Sequence, residues 1–295
     1  MINIQKNHTQ LSFLKAGKKL IGATALLLSF HLGTANAQVT FDVIGPHEYD
    51  LPVGMKKPVD IFVQYFETQR TDKMYNNNGD KVNVPKTNLT IGLTKYVRLF
   101  SLESYPEIGL AWETIVPEIG VRNNTAGISA GGLGDPLMGP VIWYKPTPNS
   151  TLGLLALVTV PIGDSAVGGG DQWTYHPFTP FWHVNMGKFA YTGQVGFQTF
   201  GHSSRQNGKQ GDIFYTNHRL GYRVTDWFEP LVTLDYEKQK SSGLTLLSSN
   251  ETTLGFGAMF HYLGNQSLTL NYSKGVDGKN HSVNDSFHAK YVLAF

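Results

Sequence analysis

The chain has 295 residues, with 24 Lys and Arg against 22 Asp and Glu, and it contains no Cys. Disulfides, thiolate zinc sites and cysteine nucleophiles are therefore excluded, and no basic tract points to a nucleic-acid partner. Gly is plentiful at 32 residues and aromatics reach 12%, yet only 41% of residues are hydrophobic. That mixture is expected when lipid-facing and lumen-facing residues alternate along strands, so that the average hides the signal.

At the start of the chain, Lys6, Lys15, Lys18 and Lys19 precede an apolar stretch over 20–30, followed by Ala35-Asn36-Ala37. This pattern predicts a secretory signal peptide over 1–37, cleaved after Ala37. Its apolar part, about 11 residues, is too short for a spanning helix, which needs about 20. Removing four lysines with the leader leaves 20 basic and 22 acidic residues, a net charge of −2. Residues 38–57 contain Asp42, Pro46, His47, Glu48, Asp50 and Pro52. They read either as a periplasmic tail or as a plug folded into the domain that follows.

Residues 58–295 carry period-2 alternation in twelve stretches, near 58–69, 87–100, 106–117, 135–145, 151–162, 174–184, 189–201, 212–224, 228–238, 251–263, 267–275 and 284–295. Short turns over 101–105, 146–150, 185–188, 225–227 and 264–266 alternate with longer connections over 71–86, 118–134, 163–173, 202–211, 239–250 and 275–283, rich in Gly, Asn, Ser and Asp. The predicted fold is all-β: a transmembrane antiparallel up-and-down β-barrel of about 12 strands, with both ends on the short-turn side. Alternation is clearest late in the chain. Leu254, Phe256, Ala258, Phe260 and Tyr262 oppose Thr253, Met259 and His261, and Leu268, Leu270 and Tyr272 oppose Thr269, Asn271 and Ser273. Pro136, Pro140, Pro161, Pro177 and Pro180 disturb the fourth to sixth strands, since Pro removes a ladder donor.

The last strand places Phe287, Ala289, Tyr291, Leu293 and Phe295 on one face and His288, Lys290, Val292 and Ala294 on the other. A strand of this kind ending on Phe resembles the closing strand of a bacterial outer-membrane barrel. The resemblance implies lipid and, through Phe295, the barrel-assembly machinery as partners. A soluble sandwich or lipocalin-like barrel also alternates. Strands of ten or more residues, long for soluble sheets, favour the bacterial outer membrane.

The run from Gly131 to Pro140, Gly-Gly-Leu-Gly-Asp-Pro-Leu-Met-Gly-Pro, and the segment Val158-Thr-Val-Pro-Ile-Gly-Asp164 resemble blocks of the "MetA-pathway of phenol degradation" outer-membrane proteins, as do Trp173, Pro177 and Pro180 after them. The resemblance covers roughly 55–295. It implies a channel through which small hydrophobic or aromatic molecules cross the outer membrane, and it brings no catalytic residues.

On the predicted lumen face lie Asp60, Phe62, Gln64 and Phe66 of the first strand, Glu113, and then Tyr175, Phe181 and His183. Further along come Tyr215, Asn217, Arg219, Arg223, Asp235 and Glu237. Rings mixed with polar groups suit a ligand with an aromatic body and a polar end. The same groups equally serve to fill a narrow barrel or to brace its wall with ion pairs. Asp60 is expected to face His288 and Lys290 across the closing seam.

Other motifs carry less. Gly131–Gly134 and Gly168–Gly170 lack the Lys-Ser/Thr and the helix of a phosphate loop, and no His pair has metal-ligand spacing on a helix. No catalytic, metal or cofactor residues are expected. His202, Ser204 and Asn217 faintly resemble the His, Ser and Asn of outer-membrane phospholipase, which makes a lipase the remote alternative. The expected function is passive uptake of small molecules through a porin-like channel, with a closed structural or surface-interaction barrel as the alternative.

Overall fold

A computed structural model describes residues 44–295; the expected leader and residues 38–43 lie outside the described residues. The strands are β1 Val59–Tyr75, β2 Lys81–Leu102, β3 Tyr105–Asn123, β4 in two stretches (Ile128–Leu133 and Leu137–Thr147), β5 Ser150–Thr159 and β6 Thr174–Met186. They continue with β7 Phe189–Phe200, β8 Ile213–Tyr222, β9 Phe228–Gln239, β10 Ser249–Tyr262, β11 Gln266–Lys279 and β12 Asp285–Ala294. Each pairs antiparallel with its neighbours in sequence, and β1 pairs with β12 from Ile61↔Ala294 to Gln69↔Ser286, closing a twelve-stranded barrel with no free edge. No described helix is long and apolar enough to cross a membrane. Crossing by strands satisfies every backbone group within the wall, which lipid demands.

Three long connections are shorter than the sequence suggests. β1 and β2 continue as a ladder through most of 71–86, with one bulge between Thr71 and Lys73. β3 runs to Asn123 and re-pairs with Ile128–Leu133, and β11 extends to Lys279. β2 has 22 residues, where about 9–11 suffice to span the hydrocarbon, so these hairpins project beyond the membrane on the long-loop side. Beyond lipid neither face needs to be apolar, and the hydropathy signal is lost there. The β1–β2 tip is an Asx-type turn: Asn76 Oδ1 accepts from the Asn78 and Asp80 amides at 2.8 and 2.9 Å, and Gly79 takes φ 88°.

The proline-rich quarter keeps its strands but breaks their registers, between Tyr144 and Thr147, Leu155 and Leu157, and Tyr175 and Phe181. The glycine motifs belong to one such break. Between the two stretches of β4, Asp135 Oδ1 accepts from the Gly163 and Gly170 amides at 2.7 and 2.8 Å. Reciprocally, Asp164 Oδ2 accepts from the Leu133 amide at 2.8 Å. A Cβ on Gly163 would stand 2.5 Å from the Gly134 carbonyl carbon, so only Gly allows the two turns to meet. The two Gly-Asp blocks are halves of one joint in the wall.

The outer surface carries a band of exposed apolar side chains around the barrel, among them Phe66, Trp112, Ile142, Leu152, Phe178, Phe197, Val232, Leu254, Phe256 and Phe287. Exposed apolar area of this extent fits lipid and not water.

Candidate functional site in the barrel lumen

The inner face is set by burial. β1 turns Val63, Tyr65, Glu67 and Gln69 inward, β2 Leu89, Ile91, Leu93, Val97 and Leu99, and β3 Ala111, Glu113, Ile115 and Ile119. β4 to β6 add Leu137, Val141, Trp143, Leu155, Leu157 and Phe181, with Thr151, His176, Thr179 and His183 as polar members on β5 and β6. β7 to β12 line the other half with Thr192, Gln194, Asn217, Arg219, Glu229, Thr233, Asp235, Thr253, Asn271, Ser273, His288 and Lys290. The lumen therefore has one largely apolar wall and one polar wall.

Residues 44–57 lie between these walls. Ile44 O accepts from Arg219 Nε at 2.8 Å, Pro46 O from Thr192 Oγ1 at 2.6 Å, and Pro52 O from Trp143 Nε1 at 2.9 Å. The Tyr49 ring stacks on Phe181 with centroids 4.1 Å apart, and its hydroxyl donates to Gln194. Glu48 is met by Lys290 Nζ, by the Tyr65 hydroxyl at 2.7 Å and by Lys95 Nζ at 3.6 Å, and Lys95 also holds Glu113 at 2.9 Å. Burial works against the Glu48 charge, but the Lys290 and Lys95 ammonium groups outweigh it and hold the carboxyl at about 2. Burial also opposes charge on His47. Its contacts with Asp50 and Glu229 prevail and raise its pKa above the ordinary histidine value. Asp50, despite burial, is held low by His47, Lys145 and Asn185.

Beside this segment, toward the short-turn end, is a cavity of about 340 Å³. Val63, Val97, Leu99, Val141, Trp143 and Leu155 line one side, and Lys95, Glu113 and Lys290 stand at its polar end. A dry cavity of ~150 Å³ holds one benzene, so the space suffices for a one-ring molecule.

The predicted lumen residues separate into two groups. Glu113, Phe181, His183, Tyr215, Asn217, Arg219 and Asp235 are buried on the inner face. Arg219 Nη1 contacts Asp235 Oδ1 at 2.7 Å, Arg223 Nε reaches Glu229 Oε2 at 3.0 Å from the rim, and Glu237 lies 3.6 Å from His281. Asp60, Phe62, Gln64 and Phe66 instead face outward, because β1 runs in the opposite phase. Asp60 accepts from the Tyr96 hydroxyl at 2.6 Å and lies 3.4 Å from Arg98, while the partner of Lys290 is Glu48. Tyr175 also faces outward, because the irregularity at Pro177 and Phe178 switches the phase of β6 before Thr179 and Phe181. The β1 error has a physical cause: on the apolar half of the barrel both faces carry rings and aliphatics, so alternation does not say which is lipid. His47, Tyr49, Lys95, Trp143 and Glu229 were missed. Glu229 shares the parity of Asp235 on β9, a signal present in the sequence.

The lipase constellation is not assembled around a reactive serine. Ser204 Oγ donates to Asp171 Oδ1 at 3.1 Å, alongside Ser203 Oγ and the Arg205 amide at 3.1 Å, in a loop clasp. Asn217 is buried in the lumen, where it donates to Asp235 at 2.6 Å.

A closed twelve-stranded barrel with an apolar belt defines the class: an outer-membrane β-barrel protein of bacteria. Residues 71–291 match the family described by the MetA pathway of phenol degradation, and the chain belongs to it. Among solved structures, an outer membrane channel from Pseudomonas putida F1 is similar with a TM-score of 0.72 at 18% identity, covering 83% of this chain and 97% of that one. The β-domain of the Bordetella autotransporter BrkA is similar at 0.52 and 11% identity, covering 81% and 100%. Both likenesses concern the fold. No curated protein sequence matches the chain.

Proposed function

We propose that the protein is a passive outer-membrane channel for small molecules with an aromatic or hydrophobic body and a polar end, and that residues 44–57 act as its constriction. The observation that carries this reading is the two-walled lumen. An apolar wall beside a cavity of about 340 Å³, opposite a polar wall, offers both ends of such a molecule a partner. The structure of similar fold from Pseudomonas putida F1 is itself described as an outer membrane channel, which supports the reading. In this account residues 1–37 are a leader cleaved after Ala37, the short-turn end faces the periplasm, and β12 with Phe295 is the segment that contacts the barrel-assembly machinery. Nothing in the lumen is asked to perform chemistry. Planar-bilayer recording and liposome swelling test the proposal: measurable permeation of small solutes is expected, and impermeability to every solute tried overturns it.

A second reading, a closed barrel that binds partners outside the cell, is favoured by the density of bonds that hold 44–57 in place and by the projecting β1–β2 hairpin. Normal solute uptake together with lost surface adhesion in a deletion strain would select it.

A further inference from the structure

At the rim where 44–57 meets the wall, two imidazoles and a carboxylate converge in a way that ion pairing does not explain. His183 is fully buried on the inner face of β6. Its Nδ1 lies 2.8 Å from Thr192 Oγ1, and that hydroxyl gives its single hydrogen to Pro46 O at 2.6 Å. Nδ1 must then be the protonated nitrogen of His183, which leaves a lone pair on Nε2. Among the described residues Nε2 has no hydrogen-bond partner, and it looks across 3.6 Å at Asp50 Oδ2. His183 is buried and Asp50 partly exposed, and a lone pair facing a carboxylate oxygen at such a rim is an arrangement that a cation completes. His47 repeats the pattern. Its Nε2 contacts Glu229 at 3.0 and 3.1 Å, its Nδ1 faces Asp50 Oδ2 at 3.9 Å, and its ring centroid is 5.4 Å from that of His183.

We propose that His47 Nδ1, His183 Nε2 and Asp50 Oδ2 form a binding site for a divalent first-row transition metal of the zinc, copper or nickel type. Imidazole and carboxylate donors suit these ions, and three protein ligands leave a fourth position for water. Tetrahedral bonds of 2.0–2.1 Å put donor atoms about 3.3 Å apart; here Asp50 Oδ2 lies 3.6 and 3.9 Å from the two nitrogens and all three ligand atoms fall within 4.8 Å of one another, so side-chain shifts are needed to close the site. Each imidazole already has its other nitrogen held, by Glu229 on His47 and by Thr192 on His183, as metal-ligating histidines do. Lys145 binds the other Asp50 oxygen, Oδ1, at 3.0 Å, and Asn185 donates to Oδ2 at 3.0 Å. An ion entering the site displaces to solvent any proton on His47 Nδ1. A protonated His47 alone would account for Asp50 and Glu229 but not for the orphaned nitrogen of His183. The bound ion would staple 44–57 to the wall, whatever the lumen passes.

Tag-free mature protein in detergent, stripped with EDTA, is titrated with Zn²⁺ by calorimetry, and Co²⁺ absorption reports the coordination. Heat-modifiable electrophoretic migration confirms that each variant is folded. One Zn²⁺ per chain is expected, with affinity at least tenfold weaker in His183→Gln and Asp50→Asn. Thr192→Val, which leaves every ligand in place, is expected to weaken it by about tenfold, and His261→Gln by less than threefold. The last variant separates this site from the competing trio of His47, Glu229 and His261. Absence of stoichiometric binding, unchanged affinity in both His183→Gln and Asp50→Asn, or a loss in His261→Gln as large as in His183→Gln overturns the proposal.

Discussion

Glu48 concentrates the energetics of the lumen in one side chain. It stands between two ammonium groups and a tyrosine hydroxyl, and it is the main charge that 44–57 offers to Lys290. Removing one member of a buried ion pair costs about 3–5 kcal/mol, because the partner's charge is stranded. Glu48→Gln should therefore loosen the segment by about that amount, at the low end where water reaches Lys95. Hydrogen exchange at the Glu48 and Asp50 amides, which close local turns onto Gly45 O and His47 O, measures it. Unchanged protection contradicts the role assigned to this carboxylate. Tyr49 anchors the proposed constriction in another way, by stacking on Phe181. Tyr49→Ala should raise single-channel conductance several-fold in planar bilayers with little change in barrel stability, since every strand pairing remains. Neither residue announced its role in sequence. Their segment has charged and aromatic groups but no period, and what orders it is the wall around it.

At the scale of elements, the joint between β4 and the 160–173 loop explains why two glycine-aspartate blocks occur in one chain. Gly163→Ala puts a methyl carbon 2.5 Å from the Gly134 backbone, and overpacking of this kind costs about 1–3 kcal/mol. A lowered unfolding midpoint in urea, read by tryptophan fluorescence, is the expected result. The 202–211 loop depends on Asp171. Slight burial opposes its charge, but the Ser203 hydroxyl, the Arg205 amide and the Ser204 hydroxyl prevail and lower its pKa below the ordinary aspartate value. A carboxyl lowered on folding stabilises above its unfolded value and loses that contribution as pH falls through its folded value. Protection of the Arg205 and Gln206 amides should thus hold at neutral pH and fall away in acid below the ordinary aspartate range. In Asp171→Asn it should be weak at both. The strands themselves were legible where only one face is apolar, from β7 to β12. They were misphased in β1, where Phe62 and Phe66 on one face compete with Val63 and Tyr65 on the other. In β6, the Pro177–Phe178 irregularity shifts the period-2 pattern by one residue, so a single phase does not fit the whole strand.

For the whole molecule, barrel, closure and strand number follow from alternation and turn lengths. All three depend on how many residues cross lipid and which side meets it. The lumen was less legible because its character is set by pairs far apart in sequence, such as Glu48 with Lys290 or Tyr49 with Phe181. It was also less legible because half of its wall is apolar, like the outside. That asymmetric lumen is the basis for the proposal that the protein passes small aromatic or hydrophobic solutes. The most direct test is the initial rate at which a radiolabelled one-ring compound enters cells with an otherwise intact outer membrane. Rates are compared without the protein, with it, and with its Tyr49→Ala variant. Faster entry is expected with the protein and faster still with the variant, and equal rates in all three would overturn the proposal of a conducting lumen.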